Sequence, residues 1–222
     1  MCGRFTITYE IDKLFDFFGI RPAKVLTYRP RYNISPSNYI PVVVTGDVRL
    51  MKWGLVPKWA KEPSIGYKMI NARAESVSEK PSYKGLLRHK RCIIPADGFY
   101  EWHSVEGEKI KQPLRFTLKD NGLFGFAGLW DCWHAPDGSE LETCTIITTS
   151  ANELLKKYHE RMPVILPKEN YGTWLNAKEH GAEPALKLLT QYPADQMACY
   201  KVSRVVNSPK NDLPECIKEV IA

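Results

Sequence analysis

The sequence predicts an α+β fold, a single domain over residues 1–222 with a largely antiparallel, barrel-like β-sheet and peripheral helices. Three observations predict it. Strand-like segments outnumber helical ones, and the connections between them are short. Neither the glycine spacing of a dinucleotide-binding crossover nor that of a phosphate-binding loop occurs. No linker, repeat or low-complexity stretch divides the 222 residues, of which 44% are hydrophobic and 25% charged, ordinary proportions for a packed domain.

Taken in order, Ile11, Leu14, Phe15 and Phe18 fall at helical spacing, with Gly19 placed to terminate the helix. Residues 39–53 read as a hairpin, YIPVVVT and VRLMKW turning about Gly46-Asp47. RCIIP, GFYEWH, PLRFTLK, LFGFAGLW and ETCTIITT are further strands, and Asn121-Gly122 marks a turn between the third and fourth. Ser150-Ala151-Asn152-Glu153 reads as a capping box opening a short helix through Tyr158, with His159 just past its last turn and the strand-like MPVIL beyond. Helical stretches are expected near 167–177 and 183–191, then a strand CYKVSRVV and a small helix after Pro214.

Composition narrows the function classes. No apolar run is long enough for a membrane-spanning helix, and MCGRFTITYE lacks the apolar stretch of a secretion signal, so a cytoplasmic location (nuclear, if the cell has a nucleus) is expected. The six cysteines, at 2, 92, 132, 144, 199 and 216, form no C-x-x-C pair and match no zinc-module spacing; free thiols, with no metal and no cofactor, are expected. Residues 1–100 carry 17 Lys/Arg against 8 Asp/Glu, and residues 101–222 carry 14 against 17. A basic first half suggests an anionic partner, with nucleic acid the commonest candidate.

Cys2 follows the initiator Met1. If Met1 is removed, residue 2 carries a free α-amine and a thiol on adjacent carbons, a reagent that condenses with an aldehyde to an imine and then closes to a five-membered thiazolidine. An α-amine of ordinary pKa, about 7.7–8.0, is accessible in its neutral form near pH 7. Arg4, if its side chain turns back, would favour the thiolate. Glu101, between Tyr100 and Trp102, and His159 are candidate proton carriers, and Asn71 a candidate hydrogen-bonding group. Each has a plainer reading: Glu101 as a strand residue facing water, His159 as a helix-end residue, Asn71 as a turn residue, Arg73 and Glu75 as a surface ion pair. Tyr28-Arg29-Pro30-Arg31-Tyr32-Asn33 and Trp53-Gly54-Leu55-Val56-Pro57-Lys58-Trp59 interleave aromatics with cations, as a single-strand groove would. Trp53 reads better as core and Trp59 as exposed.

In order along the chain, M-C-G-R-F, Y-N-I-S-P at 32–36, W-G-L-V-P-K-W at 53–59, I-N-A-R-A-E at 70–75, R-C-I-I-P-A-D-G-F-Y-E-W at 91–102, H-E-R-M-P-V at 159–164 and V-S-R-V-V-N at 202–207 resemble the SOS-response-associated peptidase (SRAP) family of abasic-site processing proteins. The resemblance implies recognition of abasic sites in single-stranded DNA or at single-strand/double-strand junctions. It implies covalent capture through Cys2, an active site of Cys2, Asn71, Glu101 and His159, and DNA contacts from Arg4, Ser35, Pro36, Trp59, Arg73, Trp102 and Arg161. It also implies a peptidase step exposing Cys2 and a weak lyase side reaction; a monomer is expected. Two alternatives stay open: a class II glutamine amidotransferase, which also begins M-C-G, and a non-covalent single-strand binding module.

Overall fold

The structure, a computed structural model, describes residues 2–107 and 109–220. Its strands are β1 (Phe5–Ile7), β2 (Arg31–Ile34), β3 (Tyr39–Val44), β4 (Asp47–Trp53), β5 (Asn71–Arg73), β6 (Arg91–Ala96), β7 (Gly98–His103), β8 (Gln112–Leu118), β9 (Phe124–His134), β10 (Glu140–Ser150), β11 (Arg161–Pro163), β12 (Ile165–Leu166) and β13 (Met197–Lys201). Helices are few and short: α1 (Ile11–Phe18), α2 (Pro81–His89), α3 (Tyr171–Leu175), α4 (Ala177–His180) and α5 (Glu183–Lys187).

Five strands close a ring in the order β10-β4-β3-β6-β9 and back to β10; its contacts are antiparallel except β4–β10. Beyond the end of β4, β5 continues along the same side of β10, also in parallel. On the other side β11 takes over where β9 leaves off. A second sheet, β13-β8-β7-β1-β2, is antiparallel throughout. The expected α+β barrel-like architecture is therefore present.

The two-residue period of the strands divides their side chains between two cores. Val42, Val44, Cys92, Ile94, Phe126, Cys144 and Ile146 point into one cluster with Phe5 and Trp53. Their alternates Val43, Ile93, Ala127 and Ile147 join a second with Tyr83, Leu87 and Trp174 from the helices. Both faces of β6 are consequently buried, and its sequence is apolar with little alternation. Arg91 is the exception: its guanidinium, fully buried, donates to the carbonyls of Leu87, Thr173, Trp174 and Gly181, tying three helix ends together.

The N-terminus is anchored inside this frame. β1 lies between β2 and β7, and Phe5 packs edge-on against Trp53 and Phe126 at centroid distances of 5.1 and 5.8 Å. The amide of Tyr100 donates to the Arg4 carbonyl at 2.9 Å, bringing residue 2 beside residue 101. Buried Asn33 holds the C-terminal segment by donating to the carbonyls of Val206, Ser208 and Asn211, while Asp212 accepts from the Tyr32 and Asn33 amides and pairs with Arg31.

Local expectations met mixed outcomes. α1 ends as expected, with Gly19 in the left-handed region at φ +64°. The hairpin turns one residue earlier than expected: Val44 pairs with Asp47 and the loop is Thr45-Gly46, where φ +74° suits glycine. Ser150 belongs to β10, so no capping box forms there. Asn152 instead accepts from the Leu154 and Leu155 amides, just ahead of a single 3₁₀ turn, Leu155–Lys157. CYKVSRVV is strand only to Lys201; Arg204–Asn207 is a 3₁₀ turn capped by Ser203. α2 has no counterpart among the expected elements, although Pro81 opens it and Tyr83 and Leu87 bury one face. Among the described residues no helix is long and apolar enough to cross a membrane.

Candidate active site

Four of the residues singled out in the sequence meet at the end of β7, beside β5 and the turn before β11. Cys2 is fully buried, and its carbonyl accepts from Asn71 Nδ2 at 2.9 Å. Asn71 stands in register with Ile146 of β10 and is aligned from behind by Trp53, whose Nε1 donates to the Ile70 carbonyl at 2.9 Å. Asn71 Oδ1 is buried and has no hydrogen-bond partner among the described residues. Glu101 is buried on β7, not turned to water as its plainer reading had it. Burial pushes its carboxyl above the ordinary carboxylate range, and the His159 charge partly offsets that push. His159 Nδ1 lies 2.9 Å from the Arg161 amide nitrogen and 3.2 Å from the Arg161 carbonyl, which fixes the ring against the turn before β11. Met1, whose removal the sequence reading requires, lies outside the described residues.

One expectation fails here. Arg4 does not favour a Cys2 thiolate. Its guanidinium donates to Asn33 Oδ1 at 2.6 Å and the Val206 carbonyl at 2.9 Å, and lies 5.4 Å from the centroid of the Trp102 ring. Burial, and next the Glu101 charge, instead push the Cys2 thiol well above its ordinary range. Its Sγ faces the Arg4 carbonyl at 3.8 Å. Both effects favour the neutral thiol at Cys2.

The expected DNA contacts fall into groups. Arg4 and Trp102 form one stacked unit, fixed by Trp102 Nε1 donating to Asn207 Oδ1 at 2.7 Å. Arg73 and Arg161 flank the end of β10, Arg73 in register with Thr148 and Arg161 with Ser150. Arg73 is exposed, and the ion pair with Glu75 is not among those that the described residues form. The chain turns into a 3₁₀ element at Ala74–Ser76, ending the extended spacing that such a pair would need. Glu75 instead takes Arg161, with contacts of 2.6 and 3.0 Å, and Arg161 also donates to the Thr148 carbonyl at 2.6 Å. Half-buried Ser35 and Pro36 lie on a loop joined to Trp53 through the Ser37 amide, which donates to the Trp53 carbonyl at 2.8 Å. Trp53 is core and Trp59 is 57% exposed, as read from sequence. Trp59 stands on a separate turn whose Lys58 amide is held by Asp131 at 2.8 Å.

Sequence reasoning missed two contributors, Thr148, which holds Arg161, and Tyr67, exposed beside Ser37 and Trp53, and it did not pair Glu75 with Arg161 or Asn33 with Arg4. Aromatic exposure could have flagged Tyr67, but nothing local marks Thr148 or those two pairings.

Comparison with known proteins gives the family and the fold. The SRAP family, described as SOS response associated peptidase, matches residues 1–209. The abasic site processing protein YoqW of Bacillus subtilis is 50% identical over 98% of this chain and 99% of its own length. Abasic site processing protein HMCES of Xenopus tropicalis is 36% identical over 87% of this chain and 67% of its own. A crystal structure of a protein from Bacteroides thetaiotaomicron superposes with a TM-score of 0.88 at 27% identity, covering 99% of this chain and all of that one.

Proposed function

The chain belongs to the SOS response associated peptidase family, and from that premise we propose that it captures abasic sites in single-stranded DNA, or at single-strand/double-strand junctions, as a thiazolidine on Cys2. The observation that carries this reading is the hydrogen bond from Asn71 to the Cys2 carbonyl, made where the charges of Glu101 and His159 also act.

Hydrolysis of the Met1–Cys2 peptide bond comes first; water supplies the methionine carboxylate and the hydrogens of the new amine. Until then residue 2 is latent, its nitrogen an amide and its thiol buried and protonated. In the lesion the deoxyribose ring opens to an aldehyde by moving a proton from the hemiacetal hydroxyl to the ring oxygen, work suited to Glu101 and His159. The Cys2 amine adds to C1′. Glu101, whose burial favours the protonated carboxyl, gives a proton to the departing hydroxyl, and water leaves to yield the imine. Asn71 Oδ1, buried and unpartnered among the described residues, accepts from the Cys2 nitrogen and aims it at the aldehyde. The Cys2 sulfur then adds to the imine carbon while its proton passes through Glu101 to nitrogen. The balance is aldehyde plus aminothiol giving thiazolidine plus water. Closure removes the imine before it can acidify C2′, so strand cleavage by β-elimination is a minor product.

Around this centre Arg4, Arg73 and Arg161 meet phosphates, Trp102 and Trp59 stack on flanking bases, and Ser35-Pro36 lines the path of the strand. Intact mass before and after addition of an abasic oligonucleotide tests the reading. The expected result is loss of methionine, then addition of the oligonucleotide mass less one water, stable to denaturant. Cys2→Ala should abolish the adduct and retain salt-sensitive binding. A denaturant-stable adduct on Cys2→Ala overturns the mechanism. Release of ammonia from glutamine would favour the amidotransferase alternative.

A further inference from the structure

We propose that the far end of the β9–β10 hairpin is a binding site for one borderline-soft divalent cation, Zn²⁺ or a close analogue, held by Cys132, His134 and Glu140. It is separate from the Cys2 chemistry and rests on none of it. Cys132 and His134 are two apart on β9 and so share a face; Glu140 lies directly across from His134 on β10. The ligand atoms of the three residues lie within 4.8 Å of one another, and His134 Nε2 already sits 3.0 Å from Glu140 Oε1. Zinc bonds of about 2.3 Å to sulfur and about 2.0–2.2 Å to nitrogen and oxygen put tetrahedral ligands roughly 3.3–3.7 Å apart, so exposed His134 and Glu140 have only a short way to turn toward half-buried Cys132.

The donor set decides the metal class. A thiolate, an imidazole and one carboxylate suit zinc, cobalt or nickel; calcium and magnesium prefer oxygen alone. Three protein ligands leave a fourth position, and a cavity of about 580 Å³ lined by Glu140 and Glu142 opens beside them for water. Glu142, across from Cys132, is engaged by Arg49 at 2.9 Å and so is not counted as a ligand.

The test is titration of the purified full-length chain with Co²⁺, followed by its thiolate-to-cobalt charge-transfer absorption and by native mass. One equivalent per chain, displaced by Zn²⁺, is expected. Cys132→Ser should abolish the absorption, and His134→Ala should weaken binding at least tenfold. Neither change should alter adduct formation with abasic DNA. As a second measurement on the unaltered chain, Zn²⁺ should protect Cys132 from alkylation, read by peptide mapping. No absorption, or an absorption that survives Cys132→Ser, or alkylation of Cys132 unaffected by Zn²⁺, overturns the proposal.

Discussion

Replacing Glu75 by glutamine should tighten binding of single-stranded DNA. Arg161 spends its guanidinium on both Glu75 oxygens, at 2.6 and 3.0 Å, so an approaching phosphate has to compete with a carboxylate already seated. Arg161 holds the Glu75 carboxyl below its ordinary range, so it stays charged wherever the protein would meet DNA. The Glu75 side chain is 54% exposed against 16% for Arg161, which makes this a solvated pair worth about 0.2–1 kcal/mol. Removing an anion some 4 Å from a phosphate saves up to about 1 kcal/mol in water. Taken together, a gain near 1 kcal/mol, about fivefold in Kd, is expected. Thr148, whose carbonyl accepts from Arg161 at 2.6 Å, keeps the arginine in place in the variant. The assay is fluorescence anisotropy of a labelled, undamaged oligonucleotide, where no covalent product complicates the reading. The gain should shrink as salt rises, because the Debye length falls to about 8 Å at 0.15 M. Equal or weaker binding by Glu75→Gln, with an unchanged Tm, would refute the reasoning and make Glu75 the group that orients Arg161.

Three further outcomes follow from the geometry. Gly98→Ala should cost roughly 3 kcal/mol in urea unfolding: its Cβ would lie 2.6 Å from Arg115 Nε and drive that buried guanidinium off Thr6, Asp97 and Tyr200. Trp59→Ala should weaken single-strand binding by about 1–3 kcal/mol if one base stacks there, while its exposed position predicts a stability change within about 0.5 kcal/mol. Glu101→Gln should alter the pH dependence of stability. Because burial raises this carboxyl, the folded chain keeps the proton to higher pH than the unfolded chain does. The stability it contributes is therefore lost as pH climbs from the ordinary value of 4.5 through the folded pKa. The difference in Tm between Glu101→Gln and the parent should widen in the variant's favour over that interval, and a constant difference would argue against a raised pKa.

What the sequence made legible was chemistry carried by short motifs. Cys2, Asn71, Glu101 and His159 could be named because each residue type has few roles, and the structure brings them together. The strands of the barrel were legible for a similar local reason, their apolar content and the turns between them. Long-range pairing was not. Nothing in I-N-A-R-A-E says that Asn71 and Arg73 run parallel to β10, nor that β11 joins the same strand from its other side. The partner of Glu75 was missed for that reason: adjacency suggested Arg73, while register across β10 delivers Arg161. The state of the Cys2 thiol was misjudged because Arg4 is close in sequence, yet its guanidinium is claimed by Asn33 and Val206. Burial and charge environment are properties of the assembled molecule, which a neighbouring residue does not reveal.

The link from Arg4 to the Val206 carbonyl joins segments 202 residues apart. Arg4 leaves the ribosome that whole interval ahead of the carbonyl that will hold it. The surface that its guanidinium shares with the Trp102 ring is thus completed late, by a segment made long after the arginine itself.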